Sequence, residues 1–86
     1  MGVIAKLALM GIEHNLRKLV NENRLVFLKD NQVGYTPKQG MKQILTFDRM
    51  VEVFIQVGGA QNVAAAGVTT EDIKKLIIKA SQKEVK

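Results

Sequence analysis

The chain has 86 residues, 47% of them apolar, with a formal net charge of +5 and a pI near 9.8. That length holds one small domain and not two, and the apolar fraction is too high for a chain disordered throughout. There is no cysteine and a single histidine, which excludes disulfides, thiolate metal centres and thiol nucleophiles and leaves a transition metal too few ligands.

The aromatic residues are Phe27, Phe47, Phe54 and Tyr35, without tryptophan, so the core is built from Leu, Ile, Val and Met. A small aliphatic core leaves little surplus stability, and a dimer or a bound partner is therefore expected. A small secreted domain usually needs disulfide staples, so their absence favours an intracellular, cytoplasmic setting.

Residues 3–22 read as a long helix, with Val3, Leu7, Met10, Ile12, Leu16, Leu19 and Val20 at three- and four-residue steps. The first twelve residues are apolar nearly all round, which suits burial on more than one side or against a partner. They lack a basic segment ahead of the apolar run, Lys6 interrupts them, and they are too short to span a bilayer. The expectation is a buried or partner-facing helix, with a homodimer formed through Val3–Ile12 and no membrane contact. The second half turns Glu13, His14, Arg17, Lys18 and Asn21 outward, and Asn21-Glu22-Asn23 reads as the stop.

Residues 24–28 form an apolar run of strand formers, Lys29–Gln32 supply turn residues, and Val33–Thr36 return as a second strand. A lone hairpin is marginal in water. It must pack on the first helix or pair with a third strand, and Met41–Leu45 either supplies that strand or begins the next helix. Pro37 and Gly40 bound the intervening loop.

Residues 47–57 form the second helix, with Phe47, Met50, Val51, Phe54, Ile55 and Val57 as its stripe, Thr46 as N-cap and Asp48 in its first turn. Gly58-Gly59 ends it. Ala60–Ala66 form a short third helix, and Gly67 turns the chain. The last helix runs from Thr70 to Gln82. Thr69 and Asp72 have capping-box spacing, Ile73, Leu76, Ile77 and Ala80 face inward, and Lys74, Lys75, Lys79 and Lys83 face out. Residues 83–86 read as a frayed tail. The expected class is α+β and mainly helical: a long N-terminal helix, a short β-hairpin, then three helices in one domain.

Charge is unevenly spread. Residues 17–46 carry Arg17, Lys18, Arg24, Lys29, Lys38 and Lys42 against Glu22 and Asp30, a net +4. Residues 47–72 carry a net −3, and residues 73–86 a net +4. Two basic blocks flank an acidic one, and a basic surface attracts nucleic acid or an acidic protein surface.

From Gly59 to Ile78 the chain resembles the helix-turn-helix DNA-binding family. Gly67 stands at the turn, Ala66 and Val68 flank it, Ile73 and Leu76 occupy core positions of the second helix, and Ala64 and Ala65 supply small surface for close packing. Val63 stands where the family prefers alanine, and Asn62 where it prefers a buried apolar residue. The resemblance implies that Thr69, Thr70, Glu71, Asp72, Lys74 and Lys75 face the major groove, with threonines and lysines suited to base edges and phosphates. Glu71 and Asp72 would instead repel phosphate, and ordinary N-terminal capping accounts for them equally well. Lys79 extends this basic face, and Arg17, Lys18, Arg24 and Lys29 are the candidate phosphate contacts outside it. The hairpin tip at Lys29–Gln32 is a candidate wing.

Catalytic chemistry has little support. His14 stands alone on a polar helix face, and Ser81 has no supporting pattern for a nucleophilic set. Gly58-Gly59 lacks the spacing of a phosphate-binding loop, and Tyr35 either stacks on a base or packs over the hairpin. The reading is a non-enzymatic, cofactor-free DNA-binding protein, a regulator or an architectural protein, with duplex DNA as partner. The alternatives are a protein-binding module that docks on a larger protein with an acidic surface, such as a small viral or mobile-element inhibitor, and a homo-oligomeric structural component.

Overall fold

The computed structural model describes residues 2–84, with side chains through residue 83. In chain order the elements are α1 (Val3–Asn21), β1 (Leu25–Phe27), β2 (Gln32–Tyr35), β3 (Gln43–Thr46), α2 (Phe47–Gly58), α3 (Ala60–Ala65) and α4 (Thr70–Glu84). This is the expected α+β class, mostly helical, with the hairpin extended to three strands.

Each helix boundary has a local cause. α1 ends in a Schellman stop: Asn23 takes φ 60°, its N–H reaches the Val20 carbonyl, and the Arg24 N–H reaches that of Leu19. Thr46 caps α2, its hydroxyl accepting from the Arg49 N–H at 3.2 Å. Gly59, at φ 85°, closes α2 and opens α3. α3 ends in a second Schellman stop, with Gly67 at φ 82° donating to Ala64 and Val68 donating to Val63. Thr69 and Asp72 form the reciprocal box that starts α4. α4 continues to Glu84, beyond the expected end at Gln82. Of the expected tail, Lys83 and Glu84 are therefore helical, and Val85 and Lys86 lie outside the described residues.

The sheet is antiparallel in the order β1-β2-β3. Leu25 pairs with Tyr35 and Phe27 with Val33; Val33 pairs in turn with Leu45. Met41 and Lys42 precede the third strand, which begins at Gln43. The turn between β1 and β2 carries Asp30 and Asn31 in the left-handed region, which Asp and Asn tolerate better than most residues. The Asn31 carbonyl accepts from the Phe47 N–H at 3.0 Å, tying the hairpin tip to the start of α2.

Leu25 and Val33 point inward and join Leu16, Met50, Phe54, Ile73 and Ile77 in one core, all at most 4% exposed. α4 lies chiefly on α2 and also on α1, while α3 packs on α2. Two expectations of burial are corrected. Val57 is 67% exposed and Val53 turns inward instead: Val57 shares the face of Met50 and Phe54, but it stands in the last turn of α2, where that face opens on a surface groove. On α1 only Ala5, Ile12 and Leu16 are buried, so its first half is covered on one side alone and leaves Val3, Ile4, Leu7 and Met10 at least 60% exposed. No helix of the described residues is long and apolar enough to cross a membrane.

Candidate nucleic-acid interface

The corner between α3 and α4 is present, and its construction is that of a helix stop. Val63 and Val68, joined by the Schellman bond, are both buried. Asn62 is exposed and its side-chain amide turns back toward the Gly58 carbonyl at 3.5 Å. Gly67 leans toward α1, where a Cβ would stand 4.0 Å from that of Ala5. The second helix of the corner is thus held by α2 and α1 rather than by the helix before it.

The residues expected to meet DNA fall into four groups. Thr69 and Thr70 lie exposed at the start of α4, but the Thr69 hydroxyl accepts from the Asp72 N–H at 3.2 Å and the Asp72 carboxylate accepts from the Thr69 N–H at 3.0 Å. That backbone bond, then the hydroxyl of the same residue, holds the Asp72 carboxyl below the ordinary aspartate range. Asp72 is therefore a charged acid at neutral pH, engaged in capping. Lys74 turns toward α2, where its Nζ lies 3.0 Å from Asp48 Oδ1. Lys29 sits on the hairpin turn that is bound to the start of α2.

The third group converges. Lys75 and Lys79 stand four residues apart on α4, and Lys83 follows at the same interval, so the three form one ridge. All three are exposed. Lys79 and Lys83 line a groove of about 240 Å³ between α4 and the C-terminal half of α1, together with Arg17 and Glu13. Arg17 is 65% exposed and pairs with Glu13 at 3.1 Å; a surface pair of this kind is weak and exchanges readily for another anion. Lys18, next along α1, leads to the fourth group.

A second groove, of about 380 Å³, opens on the other flank of α1. Lys18, Arg24 and Lys38 rim it, and Leu19, Tyr35 and Phe54 are among its floor residues. Tyr35 is half-buried there. Arg24 is committed to the fold, its Nε donating to the Thr36 carbonyl at 3.0 Å and its Nη1 lying 3.4 Å from Glu22. The C-terminal half of α1 is thus bordered on both flanks by cations drawn from α4 and from the loops around the sheet.

Lys83 belongs to the ridge and was legible from its interval to Lys75 and Lys79. The withdrawal of Lys74 had no local signal, since Asp48 reaches it only through the packing of α2 on α4. Among the described residues no three His, Asp or Glu side chains gather closely enough to hold a metal ion. Comparison with known protein families, with curated proteins and with solved structures finds no match for this chain.

Proposed function

We propose that this chain is a small, non-catalytic, intracellular protein that binds duplex DNA, and that its contact surface is the α4 ridge of Lys75, Lys79 and Lys83 with Arg17 of α1. The observation that carries the reading is this convergence: four exposed cations from two helices lie together, with Arg17, Lys79 and Lys83 lining one groove and Lys75 continuing the ridge. Glu13, the one carboxylate lining that groove among the described residues, is already paired. With the first turn acidic and Lys74 paired to Asp48, this reading puts the contact farther along α4 than the family resemblance implies.

Phosphate neutralisation makes such binding salt-dependent. Four contacts correspond to a fall in log K with log salt of slope about −4, or a loss of roughly 10²-fold between 50 and 200 mM salt. The test is fluorescence anisotropy with random duplex DNA across that salt range. Lys79→Glu is expected to weaken binding at least about tenfold and to flatten the slope, whereas Lys74→Gln leaves it nearly unchanged. Absence of binding at low salt, or an affinity indifferent to salt, overturns the reading.

The groove of Lys18, Arg24 and Lys38 favours a second reading, docking on an acidic surface of a larger protein. Its floor of Leu19, Tyr35 and Phe54 suits an apolar side chain flanked by carboxylates. DNA would be met on the α4 side of α1, so Lys38→Glu separates the two: it impairs the protein partner and spares DNA.

A further inference from the structure

We propose that the N-terminal half of α1 pairs with the same segment of a second copy, antiparallel, about a two-fold axis at Leu7. Val3, Ile4, Leu7 and Met10 are 76%, 70%, 61% and 60% exposed, and with Gly11 they form one uncharged stripe on successive turns. Such a stripe presents on the order of 500 Å² of surface, at the size that marks an interaction site on a soluble protein. Joining two removes on the order of 1,000 Å², the floor for a specific interface. The pairing is therefore weak and concentration-dependent.

Gly11 indicates the geometry. Glycine inside a helix is unfavourable, and nothing in the protomer requires it, because an added Cβ meets no atom within 4 Å. In an antiparallel pair centred on Leu7, Val3 of one copy faces Gly11 of the other and Ile4 faces Met10. Branched side chains then lie opposite small or flexible ones, and the missing Cβ lets the backbones approach. Parallel pairing would set Val3 on Val3 and Gly11 on Gly11, and would bring both sets of Arg17 and Lys18 together. The antiparallel pair sends them apart. Arg17 lies ten residues beyond Leu7, so the two copies place it about 30 Å apart along the helix axis at 1.5 Å per residue. That approaches one turn of duplex DNA, about 34–36 Å, and the reach of the Arg17 side chains covers the difference. The spacing argument rests on the DNA reading; the pairing does not.

The other exposed apolar set, Val26, Leu28, Met41 and Ile44 on the outer sheet face, fits a second copy less well. The Lys42 side chain crosses its centre over Gly34, where a Cβ would come within 2.6 Å of Lys42 Cε.

Sedimentation equilibrium without DNA, from micromolar to millimolar protein, tests the pairing. The expected result is a reversible monomer–dimer equilibrium that Leu7→Lys abolishes and Ile44→Lys leaves intact. Gly11→Leu enlarges the apolar stripe, yet it is expected to weaken dimerisation at least tenfold while the dilute protein keeps its helix content. Because the chain has no cysteine, Leu7→Cys provides a clean probe and is expected to form an inter-copy disulfide under mild oxidation. Val3→Cys alone should not, but should cross-link when mixed with Gly11→Cys. A monomer throughout the range, dimerisation strengthened by Gly11→Leu, or failure of Leu7→Cys to cross-link overturns the proposal. A dimer with no affinity for DNA supports the pairing and removes the DNA reading alone.

Discussion

Thr69 shows how one residue can carry a structural duty where a functional one was expected. Its hydroxyl and its N–H are both bonded to Asp72, so Thr69→Ala leaves the start of α4 uncapped and is expected to lower stability by about 1 kcal/mol. Urea unfolding checks this. Asp72 adds a pH dependence whose sign is fixed by its lowered native value. Its contribution is complete above the unfolded aspartate value, at roughly pH 4, and disappears as the pH falls through the native one. Asp72→Ala should therefore lower the thermal midpoint at pH 7, and the difference from the parent should shrink as the pH is taken progressively below the unfolded aspartate value. Gly67 is the companion case. At φ 82° with only the Ala5 methyl at the edge of contact, Gly67→Ala meets no clash and suffers the backbone conformation alone, about 1–2 kcal/mol. Gly67→Asn should cost less, because asparagine tolerates that region.

Among the elements, α3 is the weakest. It has six residues and one buried side chain, Val63, too few to hold a helix without the stops at either end. Its amides are expected to exchange with deuterium faster than those of α2 and α4; equal protection would mean that the corner is a rigid unit. The helices were legible in the sequence because each has both a period and an end signal, such as Thr46, Asn23 or Gly67. Gly67 also shows the limit of such a signal. A Schellman stop needs glycine and a following apolar residue whatever the next helix does, so the same residues that suggest a DNA-binding corner are required by the end of α3. The third strand stayed open because Gln43–Thr46 is defined by its pairing with β2 rather than by its own pattern. The covered side of α1 was equally hidden. Its first half is apolar all round, and only contact with α4 and the sheet selects Ala5 and Ile12 for burial over Leu7 and Met10. The site was legible in residue type and illegible in partition: Lys74 and Lys75 are neighbours in the chain, and α2 withdraws only the first of them.

At the scale of the whole molecule, the cationic face and the core are two sides of the same helices. Leu16 is 2% exposed and sits one residue before Arg17, in the groove that also holds Leu76 and Lys79. Its burial fixes α1 against α4, and with it the approach of Arg17 to the lysine ridge. Leu16→Ala is expected to lower stability by about 3 kcal/mol through lost burial and a residual cavity. For a chain of this length total stability is roughly 4–13 kcal/mol, so the change removes a large share of it. DNA affinity should then fall because the two helices no longer hold their spacing, even though every cation is retained. Lys79→Glu should do the reverse, weakening DNA binding while moving the urea midpoint hardly at all, since its side chain is exposed and supports nothing beneath it. Urea unfolding and DNA titration of both variants, carried out side by side, check the separation. If Leu16→Ala loses stability but binds DNA as the parent does, contact with phosphate does not depend on the α1–α4 geometry, and the cations act as independent charges rather than as one surface.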